Sequence, residues 1–174
     1  ASAYSYFQDL YGLHTALVHE QYPVDFIDDY GVEAGDLARY QYQVLYVCGP
    51  NLSVKAQRAV IEWLAAGGTL VILPGAMMAD EYNEPTTEFV RALGLTRDPV
   101  PRAVAVLPHL IDQAPSAAVT IADDRLGGGV LTAYGQTVPV NRAGARVLAR
   151  LADGAAAVAE LRHGDGRVFL YGYW

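Results

Sequence analysis

Three kinds of hydrophobic pattern follow one another along the chain. Leu10, Leu13, Leu17 and Val18 fall at helical spacing and predict an amphipathic first helix. Ser5-Tyr6-Phe7-Gln8 opens it as a capping box, and Pro23 stops it. Val24-Asp25-Phe26-Ile27-Asp28 alternates and predicts a short strand, and residues 31–39 read as a polar connection. Residues 43–48 then form an apolar run ended by Gly49-Pro50, the pattern of a strand buried on both faces of a parallel sheet. Ser53 is placed to cap a helix whose Val54, Ala56, Val60, Ile61 and Leu64 face inward, and Gly67-Gly68 closes it. Residues 69–73 repeat the buried-strand pattern and end in Pro74-Gly75. Thr86 or Thr87 opens a short helix that Gly94 closes.

From residue 102 onward the pattern changes to short β-prone runs at 103–107, 117–121, 130–133, 136–140, 145–151 and 155–161. The turn His163-Gly164-Asp165-Gly166 joins the last of these to 167–171 as a hairpin. The β-α-β-α rhythm of the first half predicts an α/β fold of flavodoxin-like, doubly wound type. Its mainly parallel sheet would be flanked by helices, with antiparallel hairpin strands added in the C-terminal half. The length suits one domain over residues 1–174, with a parallel core at about 1–100 and a mixed β-rich part at about 101–174. Residues 95–129, rich in Pro and Gly, predict irregular loops.

Charge and composition narrow the function classes. The net charge is −7, and the basic residues are scattered. Arg142, Arg146 and Arg150, and likewise Arg162 and Arg167, read as solvated faces, which argues against a nucleic-acid partner. No apolar stretch approaches the roughly 20 residues of a membrane span. No export signal is visible at Ala1-Ser2-Ala3, which favours the cytoplasm without fixing the compartment. The one cysteine, Cys48, excludes an internal disulfide and a cysteine-based zinc site. No histidine belongs to a metal-spacing motif, and no cofactor is expected. Gly127-Gly128-Gly129 lacks the Lys-Ser/Thr of a phosphate loop and reads as a turn.

Three segments together carry a resemblance. They are Tyr11-Gly12-Leu13-His14 with Val24-Asp25-Phe26; residues 43–50 leading to Trp63-Leu64-Ala65-Ala66-Gly67-Gly68-Thr69-Leu70-Val71; and Gly164-Asp165-Gly166-Arg167-Val168-Phe169-Leu170-Tyr171-Gly172. Their order and spacing resemble the β-galactosidase trimerisation domain of family 42 glycoside hydrolases, in the class I glutamine amidotransferase-like superfamily. The resemblance covers most of the chain outside 95–144. It implies a non-catalytic auxiliary domain, partnered by the rest of a glycoside hydrolase and by copies of itself in a trimer. Family members begin with a strand before the first helix, so this chain is expected to be a piece of a larger protein or else a divergent relative, and as a piece it would have an open sheet edge or an altered centre.

Active amidotransferase-like proteins place a Cys nucleophile at the exit of the strand corresponding to 69–73. Here that exit reads Pro74-Gly75-Ala76-Met77-Met78, with no nucleophile. Two alternatives stay open. Cys48, at the end of the preceding strand, could serve a thiol-dependent amidotransferase or hydrolase, although a small buried side chain is its simpler role. A small-molecule or sugar site could instead use the strand C-terminal edge, where Gly49, Pro50, Pro74, Gly75, Asp80 and Glu81 would gather. Eight of the twelve tyrosines precede residue 47, which suits either gap-filling between helix and sheet or a contact surface.

Overall fold

Seven strands share one sheet in the computed structural model, which describes residues 3–74, 76–95, 117–133 and 144–172. They are β1 (Val44–Val47), β2 (Thr69–Ile72), β3 (Ala117–Ile121), β4 (Val130–Ala133), β5 (Arg146–Leu151), β6 (Ala156–His163) and β7 (Gly166–Tyr171). Their spatial order is β1-β2-β7-β6-β5-β3-β4. Only β1–β2 and β2–β7 pair in parallel; every other pairing is antiparallel. The strands expected at 103–107 and 136–140 lie outside the described residues.

This corrects the flavodoxin-like expectation. The sheet is mixed, curls toward a half-barrel and carries few helices, so it is not a parallel sheet sandwiched between two helical layers, as the amidotransferase-like class would have it. The physical reason lies in connection length. Parallel neighbours need a crossover of a dozen or more residues, whereas short turns give antiparallel pairs. Helix α4 (Val54–Ala65) supplies such a crossover between β1 and β2. The links from β5 to β6 and from β6 to β7 are too short to reverse direction twice. A register shift at Val147, Ala149 and Arg150 bends β5 against β6, as bulges do.

The strand expected at 24–28 does not form. Residues 22–28 are irregular and lead into α2 (Asp29–Glu33), whose N-cap Asp28 accepts the Gly31 amide at 2.9 Å. Alternation makes a strand only where the segment pairs with a neighbour, and among the described residues no strand takes this segment. The supposed connection at 31–39 also holds α3 (Asp36–Arg39). Helix α1 runs Ala3–His19, starting before the expected capping box. Its Leu10, Leu13 and Leu17 are half-buried, and Val18 is exposed.

Local signals elsewhere agree with the structure. Ser53 caps α4 by accepting the Ala56 amide at 3.0 Å, and Gly67 ends it at φ +115°. Beneath α4 lies the larger core. There Val60 and Leu64 of α4, Val32 of α2, Leu37 of α3 and Phe89 of α5 (Glu88–Ala92) meet Leu70, Ile72, Leu161, Val168 and Leu170 of the sheet. A smaller core gathers Val119, Leu148, Ala149, Leu151, Ala157 and Val158 around β3, β5 and β6. Strand β1 forms the edge of the sheet, with Val44 and Tyr46 exposed, so the both-faces-buried expectation holds for β2 and not for β1.

The β6–β7 hairpin locks the two halves together. Its register pairs His163 with Gly166, leaving Gly164-Asp165 as the two-residue turn, with Gly164 at φ +58°. The turn docks on the end of α4, where the Asp165 amide donates to Ala65 O at 3.0 Å and the Arg167 amide to Gly68 O at 3.1 Å. The carbonyl of Ala65, which α4 cannot satisfy itself, thus finds a partner in the hairpin.

Candidate functional site

The strand C-terminal edge is built from the loops that follow β1 and β2, and their backbones are stitched together. Gly49 O accepts the Met77 amide at 3.0 Å, and Pro50 O accepts those of Met78 at 2.9 Å and Ala79 at 3.0 Å. Leu52 N returns to Ala79 O at 3.0 Å. Met77, at φ +55°, is buried in the larger core. Gly75 lies outside the described residues, so the exit turn itself is seen only through Pro74 and Ala76.

Asp80 and Glu81 are also accounted for. One Asp80 oxygen accepts the amides of Tyr82 and Glu84, both at 2.9 Å, which is how an Asx turn closes a loop. Asn51 holds the same loop through Asp80 O at 2.9 Å. Glu81 accepts the Val54 amide at 3.2 Å, at the first turn of α4. Two carboxylates missed in the sequence join it there. Asp29 accepts the Ser53 amide at 2.9 Å, and Glu33 accepts the Ser53 hydroxyl at 2.5 Å and Lys55 at 3.1 Å. The Ser53 hydroxyl, with Lys55 beside it, holds Glu33 below the usual carboxylate range. Acidic groups at a helix N-terminus meet free amides and the positive end of the dipole. The arrangement therefore caps a helix. It does not set a proton donor against a proton acceptor across a cleft.

Cys48 is buried, and burial with Asp9 nearby pushes its thiol up to about 11, so at neutral pH it carries little of the nucleophilic thiolate. His14 stacks on Phe26 with ring centroids 5.2 Å apart, and His163 sits in the hairpin register. His109 lies outside the described residues. Among the described residues no three His, Cys, Asp or Glu side chains are grouped to hold a metal. No helix there is long and apolar enough to cross a membrane.

Asp9 is itself unusual. Its Oδ2 is buried with no hydrogen-bond partner among the described residues, and desolvation raises its carboxyl to about 7. Because the folded value lies above the unfolded one of 3.8, the group costs nothing at low pH. The penalty grows as pH rises from about 4 and is complete above about 7. A fully dry carboxyl shifted this far would cost roughly 4 kcal/mol; partial solvent access brings that to about 1–2 kcal/mol. Asp9→Asn should therefore be more stable than the parent by that amount at about pH 8 and no more stable at about pH 4. Urea unfolding at the two pH values checks this, and an equal difference at both would refute it.

Three of the arginines read as solvated faces, Arg146, Arg162 and Arg167, come together with Arg125. Arg125, Arg146, Arg162 and Arg167 line an open cavity of about 560 Å³ with Gly144, Glu160 and Leu161. Asp123, beside two of these arginines, is buried. It takes a forked contact from Arg125, both bonds at 3.0 Å, and another from Arg146 at 2.8 Å. These guanidinium groups, Arg125 foremost, hold its carboxyl down to about 2. Strand alternation and the hairpin at 163–166 place Arg162 opposite Arg167, a pairing readable in the sequence. Nothing local announces that Arg146 and Arg125 join them.

The tyrosines of the first half divide. Tyr42 donates to Asp25 at 3.0 Å, whereas Tyr11, Tyr22, Tyr30 and Tyr40 are exposed together with Phe7 and Phe26.

The sequence matches no family model and no curated protein. The fold, in contrast, is shared with solved structures. Gan42B, a GH42 β-galactosidase from G. stearothermophilus, superposes at a TM-score of 0.75 and 18% identity, covering 100% of this chain and 24% of that one. The β-galactosidase from Bacillus circulans sp. alkalophilus gives 0.61 at 20% identity, over 77% of this chain and 20% of its own. The cytoplasmic protein STM1381 from Salmonella typhimurium LT2 gives 0.64 at 14% identity, over 98% and 76%. The chain thus spans about a quarter or less of the β-galactosidases it matches. What these identities establish is a fold related to that of a segment of GH42 β-galactosidases, found also in a smaller cytoplasmic protein.

Proposed function

We propose that this chain is a non-catalytic accessory domain of a β-galactosidase-type glycoside hydrolase, acting through contact with its parent and with copies of itself in a trimer. The observation that carries this is the superposition of the whole chain on about a quarter of a GH42 β-galactosidase. That share of the enzyme's length supports reading the segment as an added module. The exposed aromatic rings of the first half and the edge strand β1 support a role in contact, since aromatic side chains are favoured where surfaces meet. The thiol-hydrolase alternative is disfavoured by a buried Cys48 whose thiol is held protonated. A site at Asp80 and Glu81 is disfavoured because both side chains already serve the loop and the helix.

The test takes the intact chain through light scattering and activity assays. The expected result is a trimer with no turnover of aryl β-galactosides or glutamine, and with Cys48 alkylated by iodoacetamide only after unfolding. A monomer at high concentration would remove the oligomeric role. Turnover abolished by Cys48→Ser would replace the whole proposal with the thiol enzyme.

A further inference from the structure

A carboxyl interrupts the apolar stripe of the first helix, a feature the accessory-domain proposal neither uses nor requires. Asp9 lies four residues before Leu13 and eight before Leu17, so the three share one side of α1. All are half-buried, as is Leu10. None of the described residues of α1 joins either core. What lies under the stripe follows from β1. Leu45 and Val47 pack against the core beneath α4, so alternation turns Val44, Tyr46 and, just past the strand, Cys48 to the opposite face. Cys48 is buried yet belongs to neither core, and Asp9 acts electrostatically on its thiol. Tyr22, just after the helix, acts likewise on Tyr46. Helix α1 therefore lies over the sheet face opposite α4.

The surroundings of Asp9 leave its ionisation uncompensated. Its Oδ2 is buried with no hydrogen-bond partner among the described residues, and none of the ion pairs among them includes it. From the sheet it faces the Cys48 thiol, which burial keeps neutral at ordinary pH. On its own helix Tyr11 and His19 are exposed, and His14 stacks on Phe26. In the segment that follows, Glu20 is exposed, Asp25 is bonded to Tyr42 and Asp28 to the Gly31 amide. A carboxylate formed at Asp9 thus loses water and meets no cation. Lifting α1 returns that water and gives up only half-buried side chains, whereas opening the sheet gives up both cores.

We propose that α1 is a proton-controlled cover, closed over the Tyr46 and Cys48 face of the sheet while Asp9 is protonated and released, with the sheet intact, when Asp9 ionises. The docked helix binds the Asp9 proton more tightly than the lifted one. Closure is therefore favoured at low pH and weakens as pH rises from about 4 to about 7. The lifted form stays a minority, sampled too briefly for a thiol this weakly ionised to be alkylated; hydrogen exchange detects it.

Hydrogen exchange of the intact chain at about pH 5 and about pH 8 tests this, each rate being divided by the intrinsic rate of that amide at the same pH. Protection of the amides of α1 from Asp9 to His19 should fall at least about tenfold between the two. Protection of β6 and β7 should fall much less. Asp9→Asn should remove the difference and keep the helix protected at both values. His14→Gln with His19→Gln, which takes away the histidines of α1, should leave the difference in place. An equal loss across α1, β6 and β7 would mean that the whole chain opens. An α1 already unprotected at about pH 5 would mean that it covers nothing, and a pH dependence kept by Asp9→Asn would place the titrating group elsewhere. Each of these three results overturns the proposal.

Discussion

Gly166→Ala should destabilise the chain by about 3 kcal/mol, a large effect for one methyl group. Gly166 opens β7 and is buried against the end of α4. A Cβ there would run into the carbonyl oxygen of Leu64 and come within 2.7 Å of both Gly68 O and a Leu64 methyl. Two of these atoms are backbone, so no side-chain rotation relieves the clash. Either the helix end or the hairpin must shift, and the bonds from Asp165 to Ala65 and from Arg167 to Gly68 shift with it. Since β7 lies between β2 and β6, the damage falls on the seam between the parallel and antiparallel parts of the sheet. Gly154→Ala is the control. That glycine has φ +86° and open space around it, so only the cost of a left-handed backbone applies, about 1 kcal/mol. Denaturant midpoints for the two variants should rank in that order, and a Gly166→Ala loss no greater than that of Gly154→Ala would disprove the docking role.

This seam also marks what the sequence made legible. The hairpin residues His163 to Gly166, the strands on either side of them, the Ser53 cap and the Gly67 stop are all local chemistry, readable within a few residues. Pairing partners are not local. The segment at 24–28 alternates as a strand should, but among the described residues it pairs with no strand. Residues 43–48 read as a buried strand, but β1 stands at the margin of the sheet, where Val44 and Tyr46 are exposed. Doubly wound topology was inferred from the single β-α-β unit around α4 and extended to a second half whose short turns forbid it.

The candidate site divides along the same line. Asp80 and Glu81 were rightly placed on a loop after β2. Their hydrogen bonds from the amides of Val54, Tyr82 and Glu84 are not readable in the loop pattern alone. The arginine cavity draws on residues from β5, β6, β7 and the turn after β3, a convergence that only the antiparallel register creates. Charge counting treated those side chains as separate faces because their sequence spacing is ordinary.

Gln57 shows how a polar residue on the core stripe can be missed, and it leads to the second large effect. It sits three residues before Val60 and seven before Leu64, on the buried face of α4, and is fully inaccessible. Its amide donates to Leu52 O at 2.7 Å, and its carbonyl accepts the Thr86 hydroxyl at 3.1 Å. One side chain thus ties the entry of α4 to the far end of the loop that carries Asp80 and Glu81. Gln57→Leu keeps the volume and removes both bonds, leaving a carbonyl and a hydroxyl without this partner in a dry site. Each such loss costs about 1–3 kcal/mol, so a total near 3 kcal/mol is expected. A general loss of core packing would raise exchange everywhere. Here the rise should concentrate instead in the amides of residues 79–86, while β6 and β7 keep their protection relative to the new global stability. Gln57→Glu separates the two bonds, because it retains an acceptor for Thr86 and loses the donor to Leu52. At about pH 8 its buried carboxylate should make it less stable than Gln57→Leu. Hydrogen exchange and urea unfolding of both variants decide the matter, and a Gln57→Leu chain as stable as the parent would show that the latch holds nothing.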